Sequence, residues 1–94
     1  MTSANTTSSK KPTIDSRTVE TRVRRYLARH VDDVSLLDEW GLITGGLLDS
    51  LAAVALIAEL ERQFEIQIDD NDLDLENFDS IPAIVEFVTR KCDG

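Results

Sequence analysis

The sequence predicts an all-α fold, a four-helix bundle with a long first loop and a short third helix. Three observations carry this reading. The chain has 94 residues, enough for one small domain and too few for two. Apolar residues recur at helical spacing in three separate stretches, residues 19–27, 53–64 and 81–88. Residues that start or stop helices stand at the edges of those stretches: Asp15 and Ser16, Gly45-Gly46 ahead of Asp49-Ser50, and Asp79-Ser80 followed by Pro82.

Residues 1–13 are rich in Ser, Thr and Lys and lack apolar periodicity, so a disordered tail is expected there and a folded domain over residues 14–94. The first helix should begin at Asp15 or Ser16, either of which can cap it, and run to about Arg29. Val19, Val23, Tyr26 and Leu27 make its buried stripe, with the arginines mostly off it. Residues 30–46 form a long connection whose Val34, Leu36, Leu37, Trp40, Leu42 and Ile43 are too apolar for a solvated linker. It should pack across the helices, with room for one short turn of its own, and long ordered loops in small domains are often functional.

The second helix should span Ser50 to about Phe64. At about 100° per residue, Ala53, Val54, Leu56, Ile57, Leu60 and Phe64 fall on one broad side and are expected to form the core seam. Leu51, Ala52, Ala55, Ala58, Glu59 and Arg62 fall on the other side, apolar and small near Ser50 and charged farther along, as a partner-docking face would be. After an acidic run at residues 69–72, a short third helix is expected over residues 73–76, with Asp72 as its cap and Leu73, Leu75 and Phe78 facing inward. The last helix starts at Asp79 or Ser80 and tolerates Pro82 in its first turn, where the N–H is not needed. Ile81, Ile84, Val85 and Val88 supply its stripe, and Arg90 and Lys91 suit its C-terminal end.

Composition excludes several classes of function. No apolar run approaches the roughly 20 residues of a membrane span, and residues 1–12 lack the apolar segment of a signal peptide, so a cytoplasmic protein without membrane contact is expected. Cys92 is the only cysteine, which leaves no internal disulfide and no thiolate metal cluster. The net charge of −8 is uneven: residues 1–30 hold seven Lys/Arg against two acidic residues, and the rest hold three against sixteen. Such an acidic body repels nucleic acid and is steered towards basic partner surfaces. The basic first helix offers only Tyr26 for stacking, so nucleic acid is not expected as a partner.

The chemistry-bearing stretch is Gly45-Gly46-Leu47-Leu48-Asp49-Ser50-Leu51. It brings a serine hydroxyl to a helix start, where unpaired N–H groups and the positive end of the helix dipole would stabilise a phosphate attached to that oxygen. Asp49-Ser50-Leu51, with Gly46 upstream and a long apolar helix downstream, resembles the attachment motif of the acyl carrier and peptidyl carrier protein family, and the resemblance extends over about residues 19–90. It implies a covalent 4'-phosphopantetheine arm on Ser50, with Asp49 as part of the motif and no catalytic or metal-binding residues. It also implies a phosphopantetheinyl transferase that moves the arm from coenzyme A, an enzyme that loads an acyl or aminoacyl group as a thioester, and an acyltransferase or synthase that accepts it. Tethering makes each later encounter one of high effective concentration. Leu51, Ala52, Ala55, Glu59 and Arg62 would then belong to the partner-binding face of a discrete, monomeric carrier.

Other readings are weighed on the same residues. A serine hydrolase needs a base, yet His30 is the only histidine and no Gly-x-Ser-x-Gly elbow surrounds Ser50. Asp49 suits a helix cap, or a contact for the modifying enzyme, better than a general base. A calcium loop starting at Asp70 fails because Leu75 stands where glycine is needed and Ile81 where the bidentate glutamate belongs. Ser50 could also be a plain cap in a non-covalent helical interaction module. Carriers of fatty-acid synthesis usually bear several carboxylates along the exposed side of this helix, where Ala52, Ala55 and Arg62 stand here. That departure favours a carrier of specialised, polyketide or nonribosomal-peptide-type biosynthesis, with the fatty-acid carrier as the alternative.

Overall fold

The computed structural model describes residues 15–93, so the proposed tail at residues 1–13 lies outside the described residues. Among the described residues four α-helices follow in order: α1 Ser16–Ala28, α2 Ser50–Phe64, α3 Leu75–Phe78 and α4 Ile81–Asp93. Two single 3-10 turns, Val34–Asp38 and Asp70–Asp72, punctuate the connections, and there is no strand among the described residues. The all-α bundle with a long first loop and a short third helix is therefore the fold.

Helix α1 is started by Asp15, whose carboxylate accepts the Thr18 N–H at 2.8 Å, and it packs its Val19, Val23 and Leu27 stripe along α4. The long loop is tied to α1 by Arg24, whose guanidinium forks onto Asp38 at 2.7 and 3.2 Å while its Nε donates to Glu20 at 2.8 Å. Leu37, Leu42 and Leu48 descend from the loop into the core. Val34 and Trp40 do not: both remain about half exposed, so the loop packs through Leu37, Leu42 and the half-buried Ile43 and not through all six.

Two further expectations change. Helix α3 begins at Leu75 with Asp74 as its cap, the Glu76 N–H approaching its carboxylate at 3.3 Å. Asp72 is already engaged, accepting the Asp69 N–H at 3.0 Å and pairing with Lys91 at 2.8 Å, so Leu73 lies outside the helix. Leu73 and Leu75 face solvent and only Phe78 goes inward, where its ring meets Phe87 edge-on at 5.1 Å. Helix α4 is capped by Ser80, whose hydroxyl accepts the Ala83 N–H at 3.2 Å, and its stripe includes the fully buried Phe87 besides Ile81, Ile84 and Val88.

Candidate functional site

The approach to α2 is a closed turn. The Leu48 N–H donates to the Leu42 carbonyl at 2.7 Å, and both leucines are buried, so residues 42–48 leave the core and return to it within one loop. Gly46 sits at the crest with φ of +84°, a conformation that glycine alone adopts freely.

Asp79, at the entry to α4, holds this turn in place. Its carbonyl accepts the Leu42 N–H at 2.7 Å. Its carboxylate accepts the N–H groups of Ile43 and Thr44 at 2.7 and 2.9 Å and the Thr44 hydroxyl at 2.7 Å. Gly41 lies so close beneath that an added Cβ would strike the Thr44 hydroxyl and the Asp79 carboxylate. Burial alone would raise the Asp79 pKa, but the hydrogen bonds from Thr44 and Ile43 outweigh it and hold the carboxyl below its usual range.

With the turn anchored, Asp49 takes extended backbone angles and caps α2. Its carboxylate accepts the Ala52 N–H at 2.8 Å, and its carbonyl accepts the Ala53 N–H at 2.9 Å. Ser50 is consequently the first residue inside the helix and not the cap. Its side chain is exposed, and no hydrogen bond among the described residues engages its hydroxyl. The N–H groups of Ser50 and Leu51 have no acceptor within the helix, so a phosphate on the Ser50 oxygen meets unpaired donors at the positive end of the dipole. The nearest carboxylate, Asp49, already serves the Ala52 N–H. These residues fit a phosphodiester-linked group.

Of the expected partner face, Leu51 is 82% exposed, and Ala55 and Arg62 are exposed as well. Ala52 is half-buried against the core, and Glu59 is half-buried with its carboxylate held by Arg62 and Gln63, which keep its pKa below the usual range. Val54, expected in the core seam, is 64% exposed and joins Leu51, Ala55 and Ala58 as one outward apolar stripe. The buried seam of α2 is narrower: Leu56, Leu60 and Phe64, at spacings of four.

A helical scaffold that presents an uncommitted serine hydroxyl at a helix start, beside an exposed apolar stripe, has the features of a protein that carries a mounted group. Comparison with known proteins agrees. The family model described as "Phosphopantetheine attachment site" matches residues 45–88. The D-alanyl carrier protein of Streptococcus uberis is 33% identical over 76 residues, covering 81% of this chain and 91% of that protein. The acyl carrier protein of Desulforapulum autotrophicum is likewise 33% identical over 76 residues, covering 78% and 96% of the two. The D-alanyl carrier protein of Streptococcus sanguinis is 36% identical over 60 residues, covering 64% and 76%. No solved structure gives a significant match. The chain belongs to the phosphopantetheine-bearing carrier protein family.

It is accordingly a carrier and not a catalyst, and its cofactor is a covalently attached 4'-phosphopantetheine. Carriers of this kind work with a phosphopantetheinyl transferase and with loading enzymes. No helix among the described residues is long and apolar enough to cross a membrane.

Proposed function

We propose that Ser50 is the attachment point of the arm and that the chain carries an aminoacyl or other short acyl unit to partner enzymes that dock on the outward stripe of α2. The observation that carries the first part is the division of labour at the helix start: Asp49 does the capping, which leaves the Ser50 hydroxyl exposed and uncommitted. When attached, the arm supplies a terminal thiol that holds its cargo as an activated thioester. The chain's own residues position that arm and present the recognition surface beside it.

The aminoacyl reading is supported by relatives named D-alanyl carrier proteins and by a stripe of Leu51, Val54, Ala55 and Ala58 with no carboxylate in it. A carboxylate-poor stripe also favours specialised biosynthesis over fatty-acid synthesis. The fatty-acyl alternative is supported by the acyl carrier relative.

Intact-protein mass tests the site. After incubation with a broad-specificity phosphopantetheinyl transferase, magnesium and coenzyme A, the parent gains one phosphopantetheine and Ser50→Ala gains none. Because Asp49 keeps the cap, Ser50→Ala is expected to change stability by less than about 0.5 kcal/mol. Modification of the mutant would move the site elsewhere. Offering the holo-protein to a D-alanine-activating ligase and to a fatty acyl transferase then separates the cargo classes: loading by the second alone would sink the aminoacyl reading.

A further inference from the structure

Arg22 and Arg25 on α1 and Arg29, its C-cap with helical backbone angles, recur at i, i+3 and i+7 and so share one face. Together with Tyr26 and with Gln63 at the end of α2, they line an open pocket of about 120 Å³. The chain has eighteen acidic residues, yet the ion pairs found among the described residues engage Arg24, Arg62 and Lys91 and none of these three arginines. A cluster of like charge left unpaired in an acidic protein is complementary to an anion from outside.

Part of the pocket is set in advance. The Arg22 guanidinium is 5.6 Å from the centroid of the Phe64 ring, and its Nη1 lies 3.5 Å from the Gln63 carbonyl. Tyr26 packs its ring 4.5 Å from that of His30. Glu59, beside the cluster, is held by Arg62 and by the Gln63 amide at 2.7 Å, and it also acts electrostatically on Tyr26 and Arg29. No carboxylate lines the pocket itself.

We propose that this pocket binds a phosphate-bearing ligand, held by the Arg22, Arg25 and Arg29 guanidiniums with the Tyr26 hydroxyl as a neutral donor. Three arginines lining one small pocket suit a tetrahedral oxyanion, which has oxygens for several guanidiniums, better than a lone carboxylate, which is satisfied by a single fork. The volume sets the rest of the chemistry. It is well below the ~300–1,000 Å³ of organic-ligand pockets, so the site takes a phosphate or diphosphate group and leaves any attached moiety outside. Gln63 stands thirteen residues after Ser50, roughly 20 Å along α2, so the pocket is separate from the arm's anchor.

The test is titration of the holo-protein with pyrophosphate at constant ionic strength, followed by NMR of backbone amides and arginine side chains. Saturable shifts confined to residues 22–30 and the end of α2 are expected, with a millimolar or tighter dissociation constant. Arg25→Glu and Arg29→Glu should each weaken binding roughly tenfold, as charge-assisted hydrogen bonds are lost. Arg17→Glu makes the same charge change on the same helix outside the pocket and should leave the affinity within about twofold. Vesicles of phosphatidylcholine with and without phosphatidylglycerol distinguish the source of the phosphate. Cosedimentation that needs phosphatidylglycerol and fails in Arg25→Glu assigns a lipid headgroup, and pyrophosphate binding without cosedimentation assigns a soluble phosphate compound. Binding of neither overturns the proposal, as does equal weakening by Arg17→Glu.

Discussion

Asp79 does more for the site than any residue within it. One carboxylate receives two backbone N–H groups and one hydroxyl from a loop 35 and 36 positions away, and that loop delivers Ser50 to the surface. Removing the carboxylate leaves three donors without partners and opens the space into which Gly41 fits. Asp79→Ala is therefore expected to cost about 2–3 kcal/mol, read as a lower denaturant midpoint with an unchanged slope. Asp79→Asn, which keeps an acceptor oxygen, should recover part of that loss, and a variant pair with equal, small losses would contradict the anchoring role. The sequence marked Asp79 as a candidate helix start, and nothing local could reveal its larger part, because the contacts join distant segments. By contrast, the Asp49-Ser50 pair was legible, since a cap acts on N–H groups within three residues of itself.

At the scale of the element, α2 shows what periodicity resolves and what it does not. Leu56, Leu60 and Phe64 lie within about 80° of one another around the helix, and Val54 stands about 120° from their centre. All four are apolar, so the pattern alone could not set the width of the buried arc; the packing of α2 against the rest of the core does. The same limit explains α3. Its leucines match an inward pattern, but Lys91 and the Asp69 N–H draw Asp72 into the preceding turn and delay the helix start. Position 54 offers a sharp test of the docking face. Val54→Glu is expected to change stability by less than about 0.5 kcal/mol, as surface substitutions do, while Leu56→Ala in the buried seam costs about 2–5 kcal/mol. If the stripe is the docking surface, Val54→Glu also slows arm transfer and loading at unchanged helical content. Normal loading kinetics in that variant would remove Val54 from the interface.

Over the whole molecule, two electrostatic effects oppose each other as the pH falls. With a net charge of −8 and an isoelectric point near 4.4, the folded chain repels itself at neutral pH, and protonation relieves that repulsion. Against this, individual carboxylates are held below their usual pKa by the fold: Asp38 by the Arg24 guanidinium, Glu59 by Arg62 and Gln63, Asp72 by Lys91 and the Asp69 N–H, and Asp15 by the N–H and side chain of Thr18. A depressed folded-state pKa means that the unfolded chain binds protons first. Stability from these groups is thus complete above the unfolded value of about 4 and is lost as pH falls through the lower folded values. The first effect acts across the surface and is screened by salt, whereas the second depends on close hydrogen-bonded contacts that salt screens less. The thermal midpoint should therefore hold or rise from pH 7 to about pH 5 and then fall below about pH 4, and added salt should raise it at pH 7 more than at pH 5. Circular-dichroism melts at these pH values, with and without salt, decide the matter. A midpoint still rising at pH 3 would mean that relief of self-repulsion outweighs the carboxylate contacts that tie the loop, the turn and α4 together.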